Sequence, residues 1–366
     1  MIDSHGHPVN AAGGPLDLSQ ISLQLAPDAH SRAVRAEAGP SRLSQELLGV
    51  RLAAYLGCEV EELSQARASA SQDWQGYVSK LFSDAGIEGL VLDAGWPGDG
   101  EVSAAQEEMA HLTGCSVRSI LRLEPLVDQL ITEGATASEI LSQAETAVRQ
   151  APGRGYVGLK TIIAYRTGLE VDPTATLDDA ETSLRTTGEL PTRRRGKALR
   201  DLLCRRTLGW AAELGLPVQI HTGFGDSEIR LSEANPLLLD ELLLTREGGA
   251  ATVLLIHGSY PWHEELAYLT TVRPNVHAEL SEFNIFAPAQ VADRLERVLE
   301  LAPGTRVLCG TDGHGAPESY WFAAHLLREA WTSVRQRWAA SGAREAWLTG
   351  IEDAIFRGNT ARLYGF

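Results

Sequence analysis

Ala251–Ile256 reads ATVLLI and runs directly into His257–Gly258–Ser259. An unbroken aliphatic and β-branched run of this length marks a strand buried on both faces, as parallel sheets require. A histidine at its end is out of place in such a core. Moving outward along the chain, similar runs recur at Met1–His5, Ile87–Ala94, Val117–Leu123, Tyr156–Ala164, Pro217–His221, Asn275–Leu280 and Arg306–Thr311. Helical stretches separate them. Strands alternating with helices predict βα units. The expected fold is α/β, a (β/α)8 TIM barrel with a helical insertion after the first strand.

The 366 residues suit one such domain spanning 1–366, since barrels run from about 200 to over 400 residues with insertions. Residues 11–86 are too long for a plain βα connection. They should hold about three helical stretches, including Ser41–Leu56 and Ser71–Ala85, as a cap beside the barrel mouth. A polar, turn-rich insertion at 167–200 should hang over the same face. The tail Ile355–Phe366 reads as a closing helix that stops at Gly365.

The formal net charge of −16 argues against nucleic acid and anionic membranes as partners. The one dense basic run, Arg193–Arg194–Arg195–Gly196–Lys197, reads as a solvated helix start. Cys58, Cys115, Cys204 and Cys309 are scattered and form no C-x-x-C pair, which suits a reducing, cytoplasmic setting. Neither a cleavable signal peptide nor a membrane span is expected.

The chemistry gathers at strand ends. His5–Gly6–His7 places two imidazoles on one face of a strand. His221 closes Val218–Gln219–Ile220, His257 closes Leu254–Leu255–Ile256, and Asp312 follows Val307–Leu308–Cys309–Gly310–Thr311. The C-terminal ends of barrel strands are where active sites are built. His5, His7, His221 and Asp312 are therefore the expected ligands of a divalent metal. The donor set suits Zn2+ first, with Mn2+, Fe2+ or Ni2+ as alternatives, as one ion or two. Such a metal lowers the pKa of a coordinated water towards about 7, which supplies a nucleophile at neutral pH. Asp312 could then accept and pass on the proton.

Lys160 lies in a buried strand, where an unpaired lysine is costly. It is read either as a carboxylated bridge between two metals, with His221 and His257 on the second ion, or as an ordinary lysine paired with a carboxylate. Arg166 is read as an anchor for a substrate carboxylate, or as an ion pair bracing its loop. Glu282 could accept a substrate ammonium or orient a ligand histidine, or could be a solvated rim charge. Asp226, in Gly223–Phe224–Gly225–Asp226, lines the mouth or caps a following helix. His263 and His314 are expected close to the site without ligating.

These residues follow the pattern of the amidohydrolase superfamily, and Gly358–Asn359–Thr360–Ala361–Arg362–Leu363–Tyr364 looks like the C-terminal signature of its amidohydrolase-related branch. The chain also resembles the amidohydrolase domain of fungal FluG and plant nodulin/glutamine-synthetase-like proteins. Four stretches carry that resemblance: Ala164–Tyr165–Arg166–Thr167–Gly168–Leu169, His221–Thr222–Gly223–Phe224–Gly225–Asp226, His257–Gly258–Ser259–Tyr260–Pro261, and Thr311–Asp312–Gly313–His314 with Pro317–Glu318. It implies a metal-dependent hydrolase of an amide bond, with γ-glutamyl amides as the leading substrates. His257 and the metal would stabilise the oxyanion, and Asp312 would shuttle the proton. No glutamine-synthetase-like domain is expected within residues 1–366. A separate ligase of that kind in the same pathway is therefore the partner this reading allows, as is a homo-oligomer. Asn284–Ile285–Phe286–Ala287–Pro288 differs from the family's sequence and bears on amine or acyl specificity. The rival readings are a non-oxidative decarboxylase of an aromatic acid and a catalytically inactive scaffold.

Overall fold

The computed structural model describes residues 1–14, 16, 18, 21, 23, 42–95 and 102–366. Eight parallel strands form a nearly closed barrel: β1 (Ile2–Val9), β2 (Gly89–Asp93), β3 (Ser116–Arg122), β4 (Tyr156–Thr161), β5 (Val218–His221), β6 (Val253–Ile256), β7 (Val276–Leu280) and β8 (Val307–Cys309). Each falls within or overlaps a run expected from the sequence. A short ninth strand, β9 (Gly313–Gly315), pairs parallel to β1 through Gly6 and Gly313. With three residues and no apolar pattern, it left no sequence signal.

The unbroken hydrophobic runs have a simple cause. Alternate residues face opposite sides, and both sides are dry. Leu90, Leu92, Val253, Leu255, Val307 and Cys309 pack outward under the helices. Val91, Ile120, Leu254, Ile256, Leu308 and Tyr364 fill the lumen. Tyr364 comes from the C-terminal helix Asn359–Tyr364, which follows a π-helical turn at Ala354–Gly358. Asn359 Nδ2 donates to Gly304 O and Val307 O, so this helix closes the end where the strands begin.

Side chains knit β8 to β1. The Thr311 N–H donates to Asp3 Oδ1 at 2.9 Å, Thr311 Oγ1 donates to Asp3 Oδ2 at 2.5 Å, and the Asp312 N–H donates to His5 O at 2.9 Å. The seam therefore sets Asp312 directly against the His5–Gly6–His7 strand. Gly6 is needed there, because a Cβ would strike the Tyr320 ring, whose hydroxyl donates to His7 O.

After β1 come the helices Leu43–Leu56, Leu63–Ala70 and Trp74–Asp84. Ser41, read as the start of the first, lies outside the described residues, as does part of the expected 11–86 insertion. Arg67 ties this region to the barrel. Its Nε donates to the buried Glu318 at 2.7 Å, and Tyr77 OH donates to the same carboxylate at 2.8 Å. Residues 167–200 are less turn-rich than expected. Leu177–Thr186 is a helix, started by a capping box between Thr176 and Asp179. Its Ala180 is buried, and it packs on the helix Lys197–Leu214. Arg193–Arg195 precede that helix rather than start it, and Arg193 and Arg194 pair with Glu228 and Glu233. All four cysteines are free. No described helix is long and apolar enough to cross a membrane.

Candidate metal centre

The strand ends converge on a cavity of about 440 Å3 lined by His7, Arg122, Lys160, Tyr165, Arg166, His221, Asp226, His257, Glu282, Phe286, Asp312 and His314, among others. Two groups of ligand atoms stand out. His5, His7 and Asp312 form one, and His221, His257 and Glu282 form the other; within each, the ligand atoms lie within 4.8 Å of one another. The one-ion reading puts His221 beside His5 and His7 and the two-ion reading puts it beside His257; in the structure it groups with His257. Register explains this: His221 pairs with Ile256, so the two histidines are one step apart on neighbouring strands, and their rings lie 4.4 Å apart. The groups are close, since the His5 and His257 rings are 5.3 Å apart.

Backbone geometry aims several of these side chains. Among non-glycine residues, positive φ occurs at His257 (69°), Ser259 (49°), Glu282 (62°) and Asp312 (54°). Each such residue costs on the order of 1–3 kcal/mol, and strain of this kind concentrates at functional sites. Here it turns His257, Glu282 and Asp312 at the ends of β6, β7 and β8.

Hydrogen bonds to carbonyls, which only accept, settle two tautomers. His7 Nδ1 lies 2.9 Å from Asp93 O, so it carries the proton and leaves the Nε2 lone pair. His221 Nε2 lies 2.9 Å from Phe224 O, so its lone pair is on Nδ1. Burial lowers His5 to about 4 and His221 to about 3, and holds His257 well below the usual imidazole range. Burial thus biases each toward the unprotonated form that ligation demands. Burial alone would raise Asp312, but the nearby imidazoles of His257, His5 and His7 outweigh it and hold the carboxyl well below its ordinary value. Asp312 Oδ1 lies 3.4 Å from His5 Nε2 and 3.3 Å from His7 Nε2. Glu282 goes the other way: burial, then the charges of Asp312 and Asp226, push it well up.

Among the described residues, His5 Nδ1, Asp312 Oδ1 and Glu282 Oε2 are buried atoms with no hydrogen-bond partner. Buried oxygens without donors are costly, and two of these sit inside the histidine groups. A divalent cation satisfies such oxygens, so the donor chemistry fits one.

Lys160 lines the cavity. Its Nζ is 3.1 Å from His5 Nε2 and 3.9 Å from Asp93 Oδ2, and burial lowers it to about 8. Arg166 lines the cavity and also pairs with Asp128 at 2.9 Å, so it braces its loop as well. Glu282 is buried, 3.6 Å from His257 Nδ1, and is no solvated rim charge. Asp226 lines the cavity, and its N–H donates to Tyr165 OH; a short 3-10 turn at Leu231–Glu233, not a helix, follows it. His314 Nδ1 lies 3.1 Å from Asp312 O, and His263 Nδ1 lies 2.7 Å from Gly258 O.

Sequence reasoning passed over Asp93 and Arg122. Asp93 closes β2, accepts from Arg122 Nε at 3.0 Å and lies by Lys160. Burial opposes its ionisation, but Arg122 and then His7 hold it below the usual carboxylate range. Both residues carried the same signal as His221, a polar residue at the end of an apolar strand.

Residues 167–366 match the amidohydrolase family model. This chain belongs to the amidohydrolase family. The fluG protein of Emericella nidulans is 36% identical over 225 residues, which are 57% of this amidohydrolase and 25% of that protein. The amidohydrolase thus spans about a quarter of its curated relative. A crystal structure from Lactobacillus casei ATCC 334, described as that of a metal-dependent hydrolase, is 26% identical with a TM-score of 0.85, covering 100% of this chain and 94% of that one. Uronate isomerase from Thermotoga maritima shares the fold, at 13% identity and a TM-score of 0.71 over 100% of this chain and 94% of its own.

Proposed function

We propose that this amidohydrolase cleaves an amide bond of a small molecule, with γ-glutamyl amides as the leading substrates. The observation that carries the reading is the pair of ligand groups at one cavity, each containing two imidazoles and one carboxyl group. His5, His7 and Asp312 would hold a divalent cation, Zn2+ by preference. His221, His257 and Glu282 would hold a second. A cation bound there supplies Lewis-acid polarisation of the carbonyl and a lowered pKa for the attacking water.

The chain's own residues supply the rest. Asp312, held ionised, takes the proton of the attacking water and delivers it to the departing amine. Lys160, whose burial lowers its pKa and so eases carboxylation, would serve as a carboxylated lysine. The cavity wall is amphoteric. Arg122 and Arg166 suit a carboxylate, whereas Asp226 and Glu228 suit an ammonium. An α-amino acid head carries both charges, which is why a γ-glutamyl group fits better than a simple acyl group. The departing end would face Phe286, in the segment that differs from the family.

The test is a screen of γ-glutamyl amides, simple esters and aromatic acids with Zn2+-loaded enzyme. Release of glutamate and free amine supports the reading. Carbon dioxide release from an aromatic acid, with no amide cleaved, would replace it with the decarboxylase.

A further inference from the structure

Glu279 lies in the lumen, fully buried, and its carboxyl group collects donors from three places in the barrel. Oε1 accepts from Ser4 Oγ at 2.8 Å. Oε2 accepts from Ser281 Oγ at 2.8 Å and from the His257 N–H at 3.2 Å. Ser4 precedes His5, and Ser281 precedes Glu282. One side chain therefore grips the neighbours of both ligand groups. Gly310 leaves the room, since a Cβ there would overlap Glu279 Oε1.

The bond directions can be deduced. Ser281 has one hydroxyl proton, and its Oγ also lies 2.9 Å from His257 Nδ1. Glu279 Oε2 faces a backbone N–H, which only donates. Ser281 donates its proton to the Glu279 carboxylate and so accepts from His257 Nδ1–H. A neutral imidazole protonated on Nδ1 keeps its lone pair on Nε2.

We propose that Glu279 is a positioning residue that, through Ser281, fixes His257 in the Nδ1–H form, with Ser281 and Glu282 on the Nδ1 side, and so leaves the Nε2 lone pair for a cation. His257 then ligates or accepts, and cannot donate a hydrogen bond to an oxyanion. That revises the donor role expected of it from the sequence. The proposal rests on the metal reading above but not on the choice of substrate.

Nitrogen NMR of metal-free protein labelled with 15N-histidine tests it without any variant. His257, assigned by the signal lost in His257→Asn, should be protonated on Nδ1. Ser281→Ala and Glu279→Met should lose that preference and weaken Zn2+ binding at the His221 group by about 10–100-fold, the usual cost of removing a group that orients a ligand histidine. Glu279→Gln should keep both within a few-fold, because its amide oxygen can replace Oε2 while its NH2 donates to Ser4. His257 protonated on Nε2 in the wild type would overturn the proposal. So would Ser281→Ala with unchanged tautomer and unchanged Zn2+ affinity. If wild-type protein bound no Zn2+, the metal reading would fall, and the tautomer measurement would still judge the role of Glu279.

Discussion

Where the strands begin, Tyr364, Leu254, Ile120 and Leu308 fill the lumen without strain, and the C-terminal helix covers them. Where the strands end, His257, Glu282 and Asp312 sit at positive φ around a cavity. The same eight strands thus serve opposite purposes at their two ends. One end lowers the free energy of the fold, and the other spends part of it to aim ligands at a cavity. Barrel enzymes divide stability and function in this way, and here the division can be tested residue by residue.

The largest effect is expected at the mouth and in catalysis alone. Asp312→Asn should keep metal yet lose about 10^3-fold in turnover, within the range for a general acid–base group. Steady-state kinetics with metal analysis checks this; near-normal turnover of the loaded variant would break the assigned role. Next comes the floor. Leu254→Ala should cost roughly 2–5 kcal/mol of stability while leaving kcat/KM per folded molecule nearly unchanged. A catalytic loss without a stability loss would blur the two ends.

A third effect depends on pH. Burial, aided by the Arg362 charge, lowers His277 near the floor to about 4, against about 6.5 in the unfolded chain. Between those values the unfolded state binds more protons. Stability is therefore full above pH 6.5 and falls as the pH drops towards 4, by up to roughly 3 kcal/mol from this residue. Urea midpoints at pH 7 and pH 4.5 should differ less in His277→Gln than in wild type. An equal acid loss in both would remove His277 from the account. The smallest effect returns to the mouth. Glu282→Gln should raise the stability of metal-free protein by about 1 kcal/mol, by relieving a buried acid beside Asp312, and should weaken metal binding. Thermal melts with and without Zn2+ would show both signs.

The fold was legible because parallel barrel strands are dry on both faces. Runs such as Ala251–Ile256 therefore stand out against the helices around them. Leu177–Thr186 was missed because its composition is polar, although the Thr176–Asp179 capping box was there to be read. At the site, strand-end position pointed to His221, His257 and Asp312. The same criterion, applied without preferring familiar ligand types, would have added Asp93 and Arg122. Pairing between remote residues was not legible. The sequence left His221 with either His5 and His7 or His257, a choice the β5–β6 register decides, and the bond between Arg166 and Asp128 joins residues 38 apart in sequence. Nor does local pattern betray Glu279, whose partners come from β1 and from the ends of β6 and β7.

The most direct trial is equilibrium dialysis of purified protein against Zn2+ followed by elemental analysis, with His5→Asn and His7→Asn combined as the comparison. Stoichiometric Zn2+ on the wild type, lost from the double variant while its circular dichroism stays native, is the predicted result. A wild-type chain that retains no more metal than its denatured control would contradict the account at its root.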